Sequence, residues 1–96
     1  MKPKFYLKHT SNIHKTAVIG EDTVIHSHCW LGAGVRIGKR CRIQAFTFIP
    51  PGVTIGDDVF IGPGVTFTND KHPPSKGRHW QETVVGPRAS IGAGAI

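Results

Sequence analysis

Residues 53–67 read Val53-Thr54-Ile55-Gly56-Asp57-Asp58-Val59-Phe60-Ile61-Gly62-Pro63-Gly64-Val65-Thr66-Phe67, with a large apolar residue at every sixth position: Ile55, Ile61 and Phe67. Followed outward, the same step reaches Ile49, Ile43, Ile37, Leu31, Ile25, Ile19 and Ile13 without a gap. Two residues before most of these stands a small or β-branched residue: Ala17, Thr23, Cys29, Val35, Cys41, Thr47, Val53, Val59 or Val65. Gly20, Gly32, Gly38, Gly56 and Gly62 directly follow the ladder. A strict period of six fits neither a helix, which repeats near 3.6, nor a two-sided strand. It fits a parallel β-helix in which each hexad is one side and three hexads make a coil. Coils 13–30, 31–48 and 49–66 follow, each hexad with a short strand through its aliphatic residue. The turns are expected near the glycines, which accept positive φ without strain.

After Phe67 the ladder stops. Residues 68–80 (Thr-Asn-Asp-Lys-His-Pro-Pro-Ser-Lys-Gly-Arg-His-Trp) hold no ladder position and are rich in turn formers. The period resumes at Val85-Gly86 and Ile91-Gly92, with Ala89 and Ala95 at the small position. Phe67 to Val85 spans eighteen residues, one coil's worth, so the excursion is expected to replace regular sides without shifting the phase. A long irregular loop in a strict solenoid is a functional signal. Residues 1–12 are read as an N-terminal cap segment, with Phe5, Tyr6 and Leu7 available to cover the end of the stack, and 13–96 as the β-helix domain. The ladder's next position would fall just past Ile96, so further coils, or a second chain covering this end, are expected.

Twelve Lys and Arg against six Asp and Glu give a formal charge of +6, which favours acidic partners. No basic run exceeds two residues, which argues against a nucleic-acid tail. Cys29 and Cys41 occupy small inward positions, do not have zinc spacing, and are read as reduced core residues. The start, Met1-Lys2-Pro3-Lys4-Phe5-Tyr6-Leu7-Lys8, has no apolar stretch long enough for a signal peptide or a span. A cytoplasmic chain without membrane insertion is expected. Burial of the ladder alone does not offset the ordering entropy of the chain, so subunit contacts are expected too.

The repeated [Ile/Val/Leu]-Gly-x-x-[small]-x unit resembles the hexapeptide-repeat acyltransferases, whose fold is an all-β, left-handed parallel β-helix. Handedness comes from the resemblance alone, since the rule for parallel crossovers gives the opposite hand. More narrowly, residues 56–70, ending Val65-Thr66-Phe67-Thr68-Asn69-Asp70 and followed by Lys71-His72-Pro73, resemble the sugar-nucleotide N-acetyltransferase branch. The resemblance implies about 4–5 coils with one protruding loop near 68–82. It also implies a homotrimer and transfer of an acetyl group from acetyl-CoA to an amine on a nucleotide-linked sugar. Acceptor and coenzyme A would lie between adjacent prisms, with the loop closing over the acceptor.

That chemistry needs an oriented amine, donors for an oxyanion and a destination for a proton. Asn69 matches the family asparagine at the end of the last strand before the loop, where its carboxamide can hold the amine. Asp70 can hold a substrate hydroxyl, and an Asx turn opening the loop is the competing reading for both. Histidine is the usual base in many hexapeptide acyltransferases, which makes His72 a catalytic candidate and His79, with Arg78, a substrate contact. In this branch the leaving thiolate can itself take the proton. The resemblance places coenzyme A against later coils, which assigns Gly86, Arg88 and Gly92 to it and implies weak binding where only Val85 to Ile96 follow the loop.

Lys39, Arg40, Arg42 and Lys76 can meet phosphates or can be solvated corners. Trp30, Phe48 and Thr66 share one stacking position eighteen residues apart, and Phe46 lies one coil above His28. Outward aromatics there stack on a base or anchor a subunit interface, the second being the better fit. Gly32-Ala33-Gly34-Val35-Arg36-Ile37-Gly38 lacks dinucleotide-fingerprint spacing, and its glycines belong to the hexads. Two rival functions follow: a non-catalytic β-helix module serving assembly, and a metal enzyme like the γ-class carbonic anhydrases. The histidine spacing does not match the ligand pattern of the latter, and no metal is expected.

Overall fold

The computed structural model describes residues 5–6, 11–68 and 82–96. Within them all regular structure is β, in twelve short strands: β1 (Phe5–Tyr6), β2 (Asn12–Ile13), β3 (Val18–Ile19), β4 (Val24–Ile25), β5 (Trp30–Leu31), β6 (Arg36–Ile37), β7 (Arg42–Ile43), β8 (Phe48–Ile49), β9 (Val53–Ile55), β10 (Phe60–Ile61), β11 (Thr83–Val85) and β12 (Ser90–Ile91). Nearly all are two residues long, because each hexad has room for a short strand and a corner. Pairing is parallel throughout and joins residues one coil apart. Three faces result: β2-β5-β8, β3-β6-β9-β11 and β1-β4-β7-β10-β12, called faces one, two and three. The three sheets wind as the left-handed parallel β-helix of hexapeptide repeats.

The core lies where the six-residue period puts it. Ile25, Leu31, Ile37, Ile43, Ile49, Ile55 and Ile61 are buried, and so are Cys29, Val35, Cys41, Val53, Val59 and Val65 in the second inward row. Each fully buried aliphatic contributes roughly 1.5–3 kcal/mol. Thr23 and Thr47 are the buried polar residues, and each hydroxyl finds a partner. Ser11, Thr23, Cys29, Cys41 and Thr47 share one device. Each side chain donates to the carbonyl of a residue fifteen positions later, the first corner residue of the next hexad but one: His26, Gly38, Gln44, Gly56 and Gly62. The two cysteines are free and buried, and burial pushes both thiols above their ordinary value. They are core donors, not nucleophiles.

The corners differ from the sequence expectation. The glycines just after the ladder do not take positive φ; that conformation falls two residues later, at Asp22, His28, Gly34, Arg40, Phe46, Gly52, Asp58, Gly64, Arg88 and Gly94. Gly20 and Gly38 serve instead as points of contact between coils. A Cβ on Gly20 would stand 2.5 Å from the carbonyl carbon of Gly38, and one on Gly38 would stand 2.7 Å from that of Gly56. Six of the left-handed residues carry side chains, at a cost of about 1–2 kcal/mol each.

A second difference concerns the interruption. Val85 pairs with Ile55 on face two, one face beyond Phe67. In regular coils such partners are eighteen residues apart, as Ile37 and Ile55 are; Ile55 and Val85 are thirty apart. The chain therefore replaces no sides. It inserts twelve residues at the corner between faces one and two, and face three resumes with Ile91 on Ile61. At the other end, β1 pairs with β4, so the leading segment adds a rung to face three.

Candidate functional site

The insertion is held at both roots. On one side the Phe67 N–H donates to the Phe48 carbonyl at 3.0 Å, and Thr66 bridges Phe48. On the other, the Thr83 N–H donates to the Gly52 carbonyl at 2.8 Å. Between the roots and the last rung lies a cavity of about 310 Å³. Val65, Phe67, Ile91, Ala95 and Ile96 supply apolar walls, and Thr66, Thr68 and Thr83 supply hydroxyls. Hydroxyls at an apolar wall can hold a polar ligand group while the wall excludes water. These threonines were not singled out for chemistry from sequence; their shared sequence signal is that they flank the break in the ladder, and Thr66 also continues the Trp30–Phe48 column.

Asn69, Asp70, His72, Arg78 and His79 lie outside the described residues, as do Lys76 and Lys71. Their chain neighbours Thr68 and Glu82 place the insertion at the corner between faces one and two. Gly86 and Arg88 lie at the corner between faces two and three, and Gly92 opens the corner between faces three and one. The three are exposed and share only the last coil, so within one chain they do not converge with the roots of the insertion. An added Cβ on Gly86 or Gly92 meets nothing within 4 Å, leaving open space above both backbones.

The basic cluster of the second coil is partly spoken for. Arg40 binds Asp58 through two bonds, Nε to Oδ1 at 2.8 Å and a terminal nitrogen to Oδ2 at 3.0 Å. This pair holds the Asp58 carboxyl below its ordinary value and the guanidinium above its own. The Lys39 N–H donates to Asp57 Oδ1 at 2.8 Å. Asp22, Arg40, Asp58 and Arg88 occupy equivalent corner positions in successive coils, with alternating sign. Arg40 is a strut of that corner. Arg42 stays exposed on face three between Val24 and Phe60.

Face one carries the outward aromatics as expected. Trp30 stacks on Phe48 with ring centroids 5.0 Å apart, and Thr66, next in the column, lines the cavity. At the adjacent corner His28 stacks on Phe46, also at 5.0 Å. Among the described residues, no three His, Cys, Asp or Glu side chains are grouped to hold a metal ion, and no helix is long and apolar enough to cross a membrane.

Residues 34–69 match the family model described as bacterial transferase hexapeptide (six repeats). The matched span runs from the second coil to the first residue of the insertion. With its ladder, parallel faces and corner glycines, the chain is a parallel β-helix of hexapeptide repeats, similar over that span to the bacterial transferase hexapeptide family. No curated protein matches it significantly.

Proposed function

We propose that the protein is an N-acetyltransferase that moves an acetyl group from acetyl-CoA to an amine on a nucleotide-linked sugar. The observation that carries this reading is the in-register insertion. Twelve extra residues leave the β-helix at one corner, and their roots flank a largely apolar cavity that carries three threonines. That segment contains Asn69 and Asp70, the residues on which the resemblance to the sugar-nucleotide branch rests.

In this reading the neutral amine attacks the thioester carbonyl carbon, and the carbonyl electron pair becomes an oxyanion. Collapse re-forms the carbonyl, breaks the carbon–sulfur bond and releases the coenzyme A thiolate. The proton lost by the new ammonium ends on that thiolate, so the products are an amide and the free thiol. Asn69 orients the amine, and His72 relays the proton where the thiolate does not take it directly. Asp70, Arg78 and His79 bind the sugar nucleotide; Gly86, Arg88 and Gly92 border coenzyme A. Three chains assemble in the cytoplasm, with substrates between neighbouring prisms.

The test is release of free thiol from acetyl-CoA in the presence of UDP- or dTDP-amino sugars. Asn69→Ala should lower turnover about a hundredfold without changing the thermal midpoint, the size of loss expected when a reacting group is no longer held in place. A folded wild-type protein that binds neither acetyl-CoA nor any such sugar would instead identify a non-catalytic assembly module.

A further inference from the structure

Two columns of outward rings climb the prism, and they end differently. Trp30 stacks on Phe48, and Thr66 bridges Phe48 from the next rung, so that column is closed. At the corner between faces three and one, His28 stacks on Phe46 with ring centroids 5.0 Å apart and planes 12° off parallel. The next positions in that column, one and two coils on, are Gly64 and Gly94. An added Cβ on either meets nothing within 4 Å. One face of the Phe46 ring lies on His28; the other borders this open space, and the residue is 65 % exposed. Coils stand about 4.8 Å apart, so each bare rung has the height of one stacked ring. The result is a ledge: an aromatic floor with a glycine backbone behind it.

Phe46 holds that floor under strain. It takes a φ of 63°, a conformation that Gly64 and Gly94 adopt at no cost. A bulky aromatic in the left-handed region is a genuine outlier, and such strain collects where a ligand uses it. Asp22, Arg40, Asp58 and Arg88 bear the same strain at another corner, but there opposite charges in successive coils attract one another. Phe46 gains a single stacked ring and leaves most of its surface in water.

We propose that this ledge binds an uncharged planar ring of the nucleobase class, stacked on the free face of Phe46. Base–aromatic stacking needs a π-face and room above it, and both are present. The corner offers little to read a base by its edges. The N–H groups of Phe46, Gly64 and Gly94 are already spent on the carbonyls of Ser27, Ala45 and Pro63. Recognition is therefore through the ring face, which accepts purines and pyrimidines alike and favours the larger. Residues 26–35, 43–56, 59–68 and 89–96 contain no Lys, Arg, Asp or Glu, so a phosphate attached to the base gains no partner on this side. A polynucleotide, whose affinity comes from its phosphates, does not fit such a surface. The ledge stands apart from the acyl-transfer reading, because a free nucleoside carries neither the sugar amine nor the thioester.

Proton NMR of adenosine titrated with the full chain tests it. The base protons should move upfield and saturate, as protons held over a ring do, while the ribose protons move less. Uridine should bind more weakly, and AMP within about threefold of adenosine. Phe46→Gly, which relieves the backbone, should weaken binding about tenfold, a loss within the range for one base–aromatic stack. Phe46→Tyr should keep it within about twofold. Gly64→Asn leaves Phe46 in place but fills the ledge with a residue that tolerates the left-handed conformation, and should also cost about tenfold with unchanged circular dichroism. Phe60→Ala, at an exposed ring on face three, should bind like wild type. No saturable shift with wild type, full binding by Phe46→Gly or Gly64→Asn, or AMP binding tenfold tighter than adenosine would overturn the assignment.

Discussion

Gly38 and Gly86 occupy the same hexad position on face two, two rungs apart with Gly56 between them, each directly after its ladder residue, yet Ala should act on them with opposite sign. Neither has positive φ, so backbone geometry permits Ala at both. A residue-by-residue view predicts two stabilised variants, since Gly→Ala at a compatible site gains about 0.4–1 kcal/mol through the unfolded chain. Space decides otherwise at Gly38. Its Cβ would stand 2.7 Å from the Gly56 carbonyl carbon and 2.8 Å from the Asp57 nitrogen, and against the Asp57 carboxylate. The first two are backbone atoms of the next coil, fixed by pairing on both sides. Forcing the coils apart costs about 1–3 kcal/mol, as overpacking does elsewhere. Displacing the carboxylate also weakens the bond it accepts from Lys39 N–H, worth about 0.5–1.5 kcal/mol. The net for Gly38→Ala is a loss of roughly 1–3 kcal/mol. At Gly86 nothing among the described residues stands within 4 Å of the added methyl, so the gain of about 0.4–1 kcal/mol survives. With about 4–8 °C per kcal/mol for a domain of this size, thermal melts should separate the two in opposite directions. Equal shifts of the same sign would refute the claim that coil contact is what demands Gly38.

Two further outcomes follow. Arg40→Ala should lower the melting temperature at neutral pH, and the gap should narrow under acid: the paired Asp58 carboxyl lies below its ordinary 3.8, so its contribution is present above that value and lost as pH falls through the lowered one. A gap that does not narrow at all between neutral pH and pH 3, where about nine-tenths of an ordinary unfolded-chain aspartate is protonated, would show that the ion pair is not its source. Cys29 and Cys41 should resist a thiol reagent in the native protein and both react on unfolding, because burial disfavours their thiolates; rapid native labelling would contradict their placement as core donors.

Much of the fold was legible from the ladder because one residue type at one spacing sets strand, face and core together. Ile43 and Ile61 needed nothing beyond their position to be placed inside. What the period did not carry was the contact between coils. The demand on Gly38 comes from the backbone of residues 56 and 57, and Thr23 meets Gly38 from fifteen positions away. The eighteen residues from Phe67 to Val85 matched one coil by number while spanning one face in space, since counting cannot tell a replaced coil from a long corner. The aromatic columns were readable because stacking follows the coil repeat. The site was readable only as a place. Asn69, Asp70, His72, Arg78 and His79 lie outside the described residues, while Gly86, Arg88 and Gly92 fall on two other corners.

The in-register return of Val85 over Ile55 has a consequence for how such a protein changes over time. The rungs below the insertion meet the rungs above through backbone pairing, and that pairing is indifferent to how far the chain wanders between Thr68 and Glu82. Scaffold and appendage are thus separable. One corner can be lengthened, shortened or exchanged like a cartridge, altering what is recognised there, while the stack that supports it is inherited unchanged.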